Sequence, residues 1–188
     1  PATSAWLLKT CSPAPKLPSA LKSTKASSRA GPLALTLTEA LLQAASVQGI
    51  EFESAVVADA LKRNRADVEE QLQRIEQVHS LIRTIGEVEF ADGTLTLRHR
   101  FIHILFQESL YATIAPARRA AWSLDVARAL ALLYDRRTKE IALELAFLYE
   151  AGRDFAQAIG YLLQTAQRDV LSGANSEAVE SCRRGLAL

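Results

Sequence analysis

A mainly α-helical fold with one β-hairpin is what this sequence predicts, and three observations predict it. Apolar residues recur at three- and four-residue spacing over most of the chain after residue 32. One stretch, either side of Asp92-Gly93, is instead rich in strand formers. Short turns containing Gly152 and Gly173 divide the C-terminal third into pieces of helical length.

Residues 1–32 stand apart from this pattern. They are rich in Pro, Ser, Ala and Lys, and Pro13, Pro15 and Pro18 interrupt any helix. Few apolar groups are present to offset ordering entropy, so the segment is expected to be disordered or of low complexity, with a short helix possible around Ser19 to Lys25. Order is expected to begin at Thr36-Leu37-Thr38-Glu39, a capping-box pattern in which Thr36 and Glu39 each satisfy an orphan backbone amide. The helix that follows carries Leu37, Ala40, Leu41, Ala44 and Ala45 on one face, and Gly49 suits its left-handed end.

A second helix is expected over about Glu53 to Arg63, burying Val56, Val57, Ala60 and Leu61. Asn64, with Asp67, opens a third over about Arg65 to Val78, whose stripe is Val68, Leu72, Ile75 and His79. The period then changes to two. Leu81 to Phe90 and Thr94 to Phe101 form the arms of a hairpin, with Leu95, Leu97, His99 and Phe101 on one side of the second arm. Three short helices and then a hairpin is the element order of a winged helix, expected here over residues 33–114.

The remainder reads as helices: Phe101 to Ile114, a long one opened by Pro116 and running to about Tyr134, then Thr138 to Glu150, Asp154 to Leu171 and Asn175 to Leu188. Ala142, Leu145, Ala146 and Tyr149, followed by Gly152, Ala158 and Leu162, resemble the small-and-large spacing of a tetratricopeptide (TPR) unit, and Ala178 with Cys182 reproduces the Ala158 and Leu162 pair. Residues 115–188 are therefore expected to form antiparallel TPR-like helical pairs. A single unit cannot close its own core, and the absence of methionine and the end inside a helical run make the chain read as cut at both ends, with more repeats expected beyond Leu188.

Composition narrows the function. Lys and Arg total 22 against 21 Asp and Glu, so no global field draws in nucleic acid or an anionic membrane. Cys11 and Cys182 lie far apart without metal-ligand spacing, which fits a reducing, cytoplasmic setting. No apolar run approaches the ~20 residues that span a bilayer. No phosphate-binding Gly-Lys-Ser/Thr loop and no nucleophile elbow is present, so the segment is expected to be non-catalytic, with no catalytic residues and no metal site. His99 and His103 are four apart, but the hairpin's end falls between them and a third ligand is lacking. The exposed side of the third helix is expected to offer Glu69, Glu70, Gln73 and Glu76, which a phosphate backbone would repel; Arg98, Arg100, Arg118 and Arg119 are the candidate phosphate contacts. DNA is thus an unlikely partner, and a winged-helix DNA-binding regulator is the alternative to a protein-interaction role.

Taken in order, Leu41-Leu42-Gln43-Ala44-Ala45-Ser46-Val47-Gln48-Gly49, Glu51-Phe52, the hairpin, Arg100-Phe101-Ile102-His103-Ile104-Leu105-Phe106-Gln107-Glu108-Ser109-Leu110-Tyr111 and Pro116-Ala117-Arg118-Arg119 resemble a stretch of the signal-transduction (STAND) ATPases. These include bacterial ATPases fused to nucleotide cyclases, kinases or LuxR-type regulators. The resemblance spans about Leu41 to Leu188. It implies a P-loop ATPase upstream, with ATP or ADP bound there and none in this segment, followed by a winged helix and TPR-like repeats. It further implies that the segment couples nucleotide state to an effector or protein partner. Related switch ATPases carry a Met-His-Asp motif after the wing, whose histidine touches the β-phosphate of ADP. Ile102-His103-Ile104 falls there and shares only the histidine, which makes His103 the candidate nucleotide-phosphate sensor.

Overall fold

The computed structural model describes residues 32–188, and side chains from residue 38 onward. The expected disorder of residues 1–32 and the short helix near residues 19–25 lie outside the described residues, apart from Pro32 itself. Within them the chain is mainly helical with a small three-stranded antiparallel sheet. In order, the elements are α1 (Pro32–Gln48), β1 (Glu51–Glu53), α2 (Ser54–Ala60), α3 (Arg65–His79), β2 (Ile82–Glu89), β3 (Leu95–Phe101), α4 (Ile104–Thr113), α5 (Pro116–Tyr134), a 3-10 segment (Asp135–Ile141), α6 (Ala142–Ala151), α7 (Phe155–Leu171) and α8 (Asn175–Ala187).

Helix starts follow local chemistry. Asn64 Oδ1 accepts from the amides of Ala66 at 2.9 Å and Asp67 at 3.4 Å, which caps α3 as its sequence indicates. Asp154 caps α7 by accepting from the Gln157 amide at 3.3 Å, and Pro116 occupies the first turn of α5. Helix α1 departs from expectation. It begins at Pro32, so Thr36 lies within the helix and the expected capping box does not start it; a proline at the first position needs no partner for its nitrogen. The expected helix over Thr138 to Glu150 is also shorter, because Asp135 to Ile141 forms a 3-10 turn and α6 starts at Ala142. Likewise α4 starts at Ile104, Phe101 belonging to β3.

The sheet contains a strand the sequence reading missed. Glu51-Phe52-Glu53 pairs antiparallel with Arg98-His99-Arg100, giving the strand order β1-β3-β2. Each acid faces an arginine across the ladder and Phe52 faces His99, so both faces of this short pairing are complementary. Between β2 and β3 the register shifts at Thr84/Gly86, leaving Ile85 as the additional residue of a bulge. Of the side expected to carry Leu95, Leu97, His99 and Phe101, His99 and Phe101 are buried whereas Leu95 is 65% exposed. Thr96 on the other face is buried instead, accepting from the Ala55 amide at 3.0 Å and paired with the Ser54 hydroxyl at 2.8 Å.

Two apolar clusters fill the structure. One joins Leu41, Phe52, Val57, Leu72, Ile75, Ile82 and Phe101; the other joins Val47, Val56, Phe90, Ile114, Leu130, Leu133, Leu145, Tyr149 and Ala158. Helix α2 serves both, since Ser54 to Ala58 and Ala60 are all buried, and Trp122 of α5 packs against each cluster. The second cluster runs without a break from α1 to α7. Helices α6, α7 and α8 pack successively, joined by turns too short for anything but antiparallel neighbours.

The α6–α7 turn falls at Gly152 as expected, though the glycine is not the residue with the unusual backbone. Gly152 keeps an ordinary right-handed backbone with φ −78°, and Arg153 takes the left-handed position at φ 65°. A Cβ on Gly152 would lie 3.1 Å from Leu124 Cβ, so the glycine permits close approach of α6 to α5. Leu72 is fully buried at the centre of the first cluster, so Leu72→Ala is expected to cost about 2–5 kcal/mol, measured as a lower midpoint in urea unfolding. Gly152→Ala is expected to destabilise as well, by about 1–3 kcal/mol from overpacking against Leu124.

Candidate functional site

His103, singled out from sequence, lies where β3 gives way to α4 and is exposed. It is the N-cap of α4: its Nδ1 accepts from the Leu105 amide at 3.1 Å, and its ring meets Phe106 edge-on with centroids 6.4 Å apart. Because Nδ1 accepts, the neutral ring carries its proton on Nε2, leaving an N–H donor available at the helix start.

His99 does not join it. That ring is fully buried, stacked on Phe52 at 5.5 Å, with Nδ1 3.2 Å from the Thr84 hydroxyl. Burial lowers its pKa, against the opposing charges of Glu76 and Glu69. One histidine is a core residue and the other a cap, so the sequence spacing makes no ligand pair. Among the described residues no group of three or more His, Cys, Asp or Glu side chains is placed to hold a metal.

The candidate phosphate-contacting arginines are also dispersed. Arg98 is engaged with Glu53, Arg100 stands 3.9 Å from Glu51, and Arg118 lies over the Trp122 ring. Arg119 donates to the carbonyls of Tyr111 and Ile114 at 3.1 and 3.2 Å. On α3, Glu70 and Gln73 are exposed as expected. Glu69 and Glu76 instead turn partly inward, Glu69 accepting from Ser54 at 2.8 Å and Glu76 from the Thr84 hydroxyl at 2.7 Å. Burial pushes the Glu76 carboxyl up, but the two donors of Thr84, together with the nearby His99 and Arg83, outweigh it and lower the pKa.

A site that sequence reasoning missed is the polar seam between the sheet and the C-terminal helices. The carboxylate of Glu53, nearly buried, receives Arg98 Nε at 2.9 Å and the side-chain amide of Gln48, while the Gln48 carbonyl accepts from the Glu53 amide at 3.2 Å. Glu144 of α6 sits beside this group and feels its charge. Burial first, and the Glu53 charge second, push the Glu144 carboxyl up to about 7 against the lowering influence of Arg98. Tyr134 is raised by burial and by the same carboxylates, and its ring packs edge-on against Phe90 at 5.4 Å. The only signal for this seam was the complementary order of Glu-Phe-Glu and Arg-His-Arg, and Glu144 gave none. Neither of the two cavities described below is lined by these residues, so the seam is a titratable joint within the packing.

The other notable surface lies on α7 and α8. Leu163, Val170, Leu171, Val179 and Leu186 are more than half exposed and line a groove of about 880 Å³ together with Ala166, Ala178 and Cys182. The expected likeness of Ala178/Cys182 to Ala158/Leu162 holds only at the alanine. Leu162 is buried, whereas Cys182 is exposed in the groove and Ser181 takes the inner position. No helix among the described residues is long and apolar enough to cross a membrane. Comparison with protein-family models, curated proteins and solved structures finds no match.

Raising the Glu144 pKa from an ordinary 4.5 to about 7 means that the folded state holds this proton more tightly than the unfolded chain. Its contribution is intact below about pH 4 and is lost as pH rises through about 7. Glu144→Gln is therefore expected to match the parent chain at pH 4 and to exceed it at pH 8, by on the order of 1–3 kcal/mol. Thermal melts at the two pH values measure this.

Proposed function

We propose that this chain is the non-catalytic regulatory and protein-interaction segment of a multidomain, cytoplasmic signal-transduction ATPase. In this reading residues 33–114 are a winged-helix-like module, residues 115–188 are TPR-like repeats, and the nucleotide resides in a separate ATPase domain of the parent protein. The likeness to STAND ATPases in residue order supplies the parent. The observation that carries the interaction role is the apolar groove on α7 and α8, an exposed strip more than two helical turns long on each helix. Its occupant in this reading is an amphipathic helix of a protein partner, docking apolar residues at three- and four-residue spacing.

The polar seam supports the coupling half of the reading. It ties β1 and β3 to α5 and α6, so that a displacement of the sheet reaches the C-terminal helices through buried charge and packing. His103 is the nucleotide-phosphate sensor of this scheme: its Nε2–H, left over by the capping bond, would donate to the β-phosphate of ADP held by the ATPase domain.

Two measurements on the parent ATPase test the scheme. Hydrogen exchange of α7 and α8 is expected to differ between the ADP and ATP states, and identical protection in both would end the coupling role. His103→Ala is expected to release ADP at least tenfold faster, and unchanged retention would remove the sensor. For the groove, Leu171→Lys with Leu186→Lys alters residues 89% and 90% exposed, so the fold should change by no more than about 0.5 kcal/mol while partner-dependent output falls.

A further inference from the structure

A second cavity, of about 400 Å³, opens between the first helical layer and the C-terminal helices. Its walls come from α1 and α4 (Val47, Tyr111), the start of α5 (Pro116, Arg119, Ser123), the end of α6 and its turn (Phe147, Glu150, Arg153) and α8 (Arg184). We propose that this cleft is a binding site for a small organic oxyanion, an apolar body bearing a phosphate or a carboxylate. The assignment goes beyond the proposed function and stands whether or not the parent is an ATPase.

Charge gives the sign of the ligand. Three guanidiniums line the cleft against a single carboxylate, Glu150, which is already committed to Arg184 at 2.8 Å. The Arg153 side chain has no hydrogen-bond or ion-pair partner among the described residues, while its backbone is left-handed and its amide donates to the Glu150 carbonyl at 3.0 Å. Guanidiniums favour oxyanions over other anions because their planar N–H groups match adjacent oxygens.

Two buried orphans give the position. Ser123 is 1% exposed, yet its hydroxyl makes no hydrogen bond, and the Nε of Arg119 is buried and equally unpaired. Arg119 and Ser123 are four residues apart on α5 and thus present their side chains on one face, toward the cleft that both line. Buried polar groups are nearly always satisfied, and leaving one unpaired costs about 1–3 kcal/mol. Both atoms lie beneath the surface of the cleft, so rotation of the Arg119 or Ser123 side chain is needed to bring either donor to a ligand oxygen, and a bond made there would remove that cost.

The remaining walls give the body of the ligand. Arg119 lies over the Tyr111 ring at 4.3 Å and Arg184 over the Phe147 ring at 4.1 Å, so two of the cations are held in place by aromatic faces rather than free to swing. Val47, Pro116, Ala120, Leu148 and Ala151 make the rest apolar. The volume falls in the range of sites for small organic molecules and exceeds what a bare inorganic ion fills. A ligand here would touch α1, α4, α5, α6 and α8 together.

The test uses the whole chain and four probes: phenyl phosphate, phenylacetate, inorganic phosphate and benzyl alcohol, each titrated calorimetrically at 0.15 M salt. Phenyl phosphate or phenylacetate is expected to bind at least tenfold tighter than inorganic phosphate, and benzyl alcohol not at all. The tighter of the two aromatic anions tells whether the site takes phosphate esters or carboxylates. Ser123→Ala removes a hydroxyl that bonds nothing, and Arg153→Asn keeps a residue tolerant of the left-handed turn; each is expected to fold normally and to weaken binding at least tenfold. Failure of both aromatic anions to bind would overturn the assignment. So would binding that survives both substitutions unchanged, or binding of benzyl alcohol as tight as that of the anions.

Discussion

The pairing of Glu51-Phe52-Glu53 with Arg98-His99-Arg100 is the contact on which the rest of this structure depends. Three residues of strand contribute little by themselves. Their value lies in having two useful faces. Phe52 stacks on His99 and tilts against Phe101 at 5.2 Å, closing the cluster that holds α1, α3 and the hairpin together. From the opposite face Glu53 and Arg98 reach toward Tyr134 and Glu144, and so toward everything C-terminal. A strand with one polar and one apolar face ordinarily turns the polar one to water. Here Glu51 and Arg100 do so, but Glu53 is covered, and its pairing with Arg98 is what allows the covering.

That arrangement has a cost that decides its character. Burying a carboxylate and a guanidinium forfeits solvation that their attraction only partly returns, so a pair of this kind is a weak source of stability but a strong source of registration. Every donor supplied to Glu53 by Gln48 and Arg98 fixes one relative position of α1, β1 and β3. Glu144, with no donor among the described residues, absorbs the consequence: burial first and the Glu53 charge second push its carboxyl up to about 7. The joint is thus geometrically strict, and it holds one carboxyl whose proton is bound more tightly than in an ordinary carboxylic acid.

The legibility of the sequence follows the same physics. Helices α3, α5, α7 and α8 could be read from it because their signals are local, namely Asn64 as a cap, Pro116 at a first turn, short glycine-containing turns, and apolar stripes of several turns. The hairpin was legible at Asp92-Gly93 for the same reason, with Gly93 at φ 81°. Strand β1 was not, since three residues cannot display a period of two and its partner lies some forty-five residues away. The burial of Thr96 in place of Leu95 was hidden too, because alternation says which residues share a side but not which of them are covered. Gly152 marked the turn correctly, but its contribution to close approach, and the unusual φ at Arg153, were not legible.

His103 was found from sequence by position in a resemblance, and the fold gives it a local duty as well, capping α4. The cleft around Arg119 and Ser123 was invisible because its cations are drawn from α5, the α6–α7 turn and α8, and no spacing along the chain links them. Arg119 illustrates the point. In sequence it is one of two adjacent arginines suited to a phosphate backbone; in the fold its two carbonyl bonds and the Tyr111 ring immobilise it, with Nε buried and unpaired. An arginine kept rigid by three separate contacts has already lost the side-chain entropy that binding would otherwise cost. Such preorganisation separates a binding cation from a solvated one, and it becomes visible only when the surrounding elements have been placed.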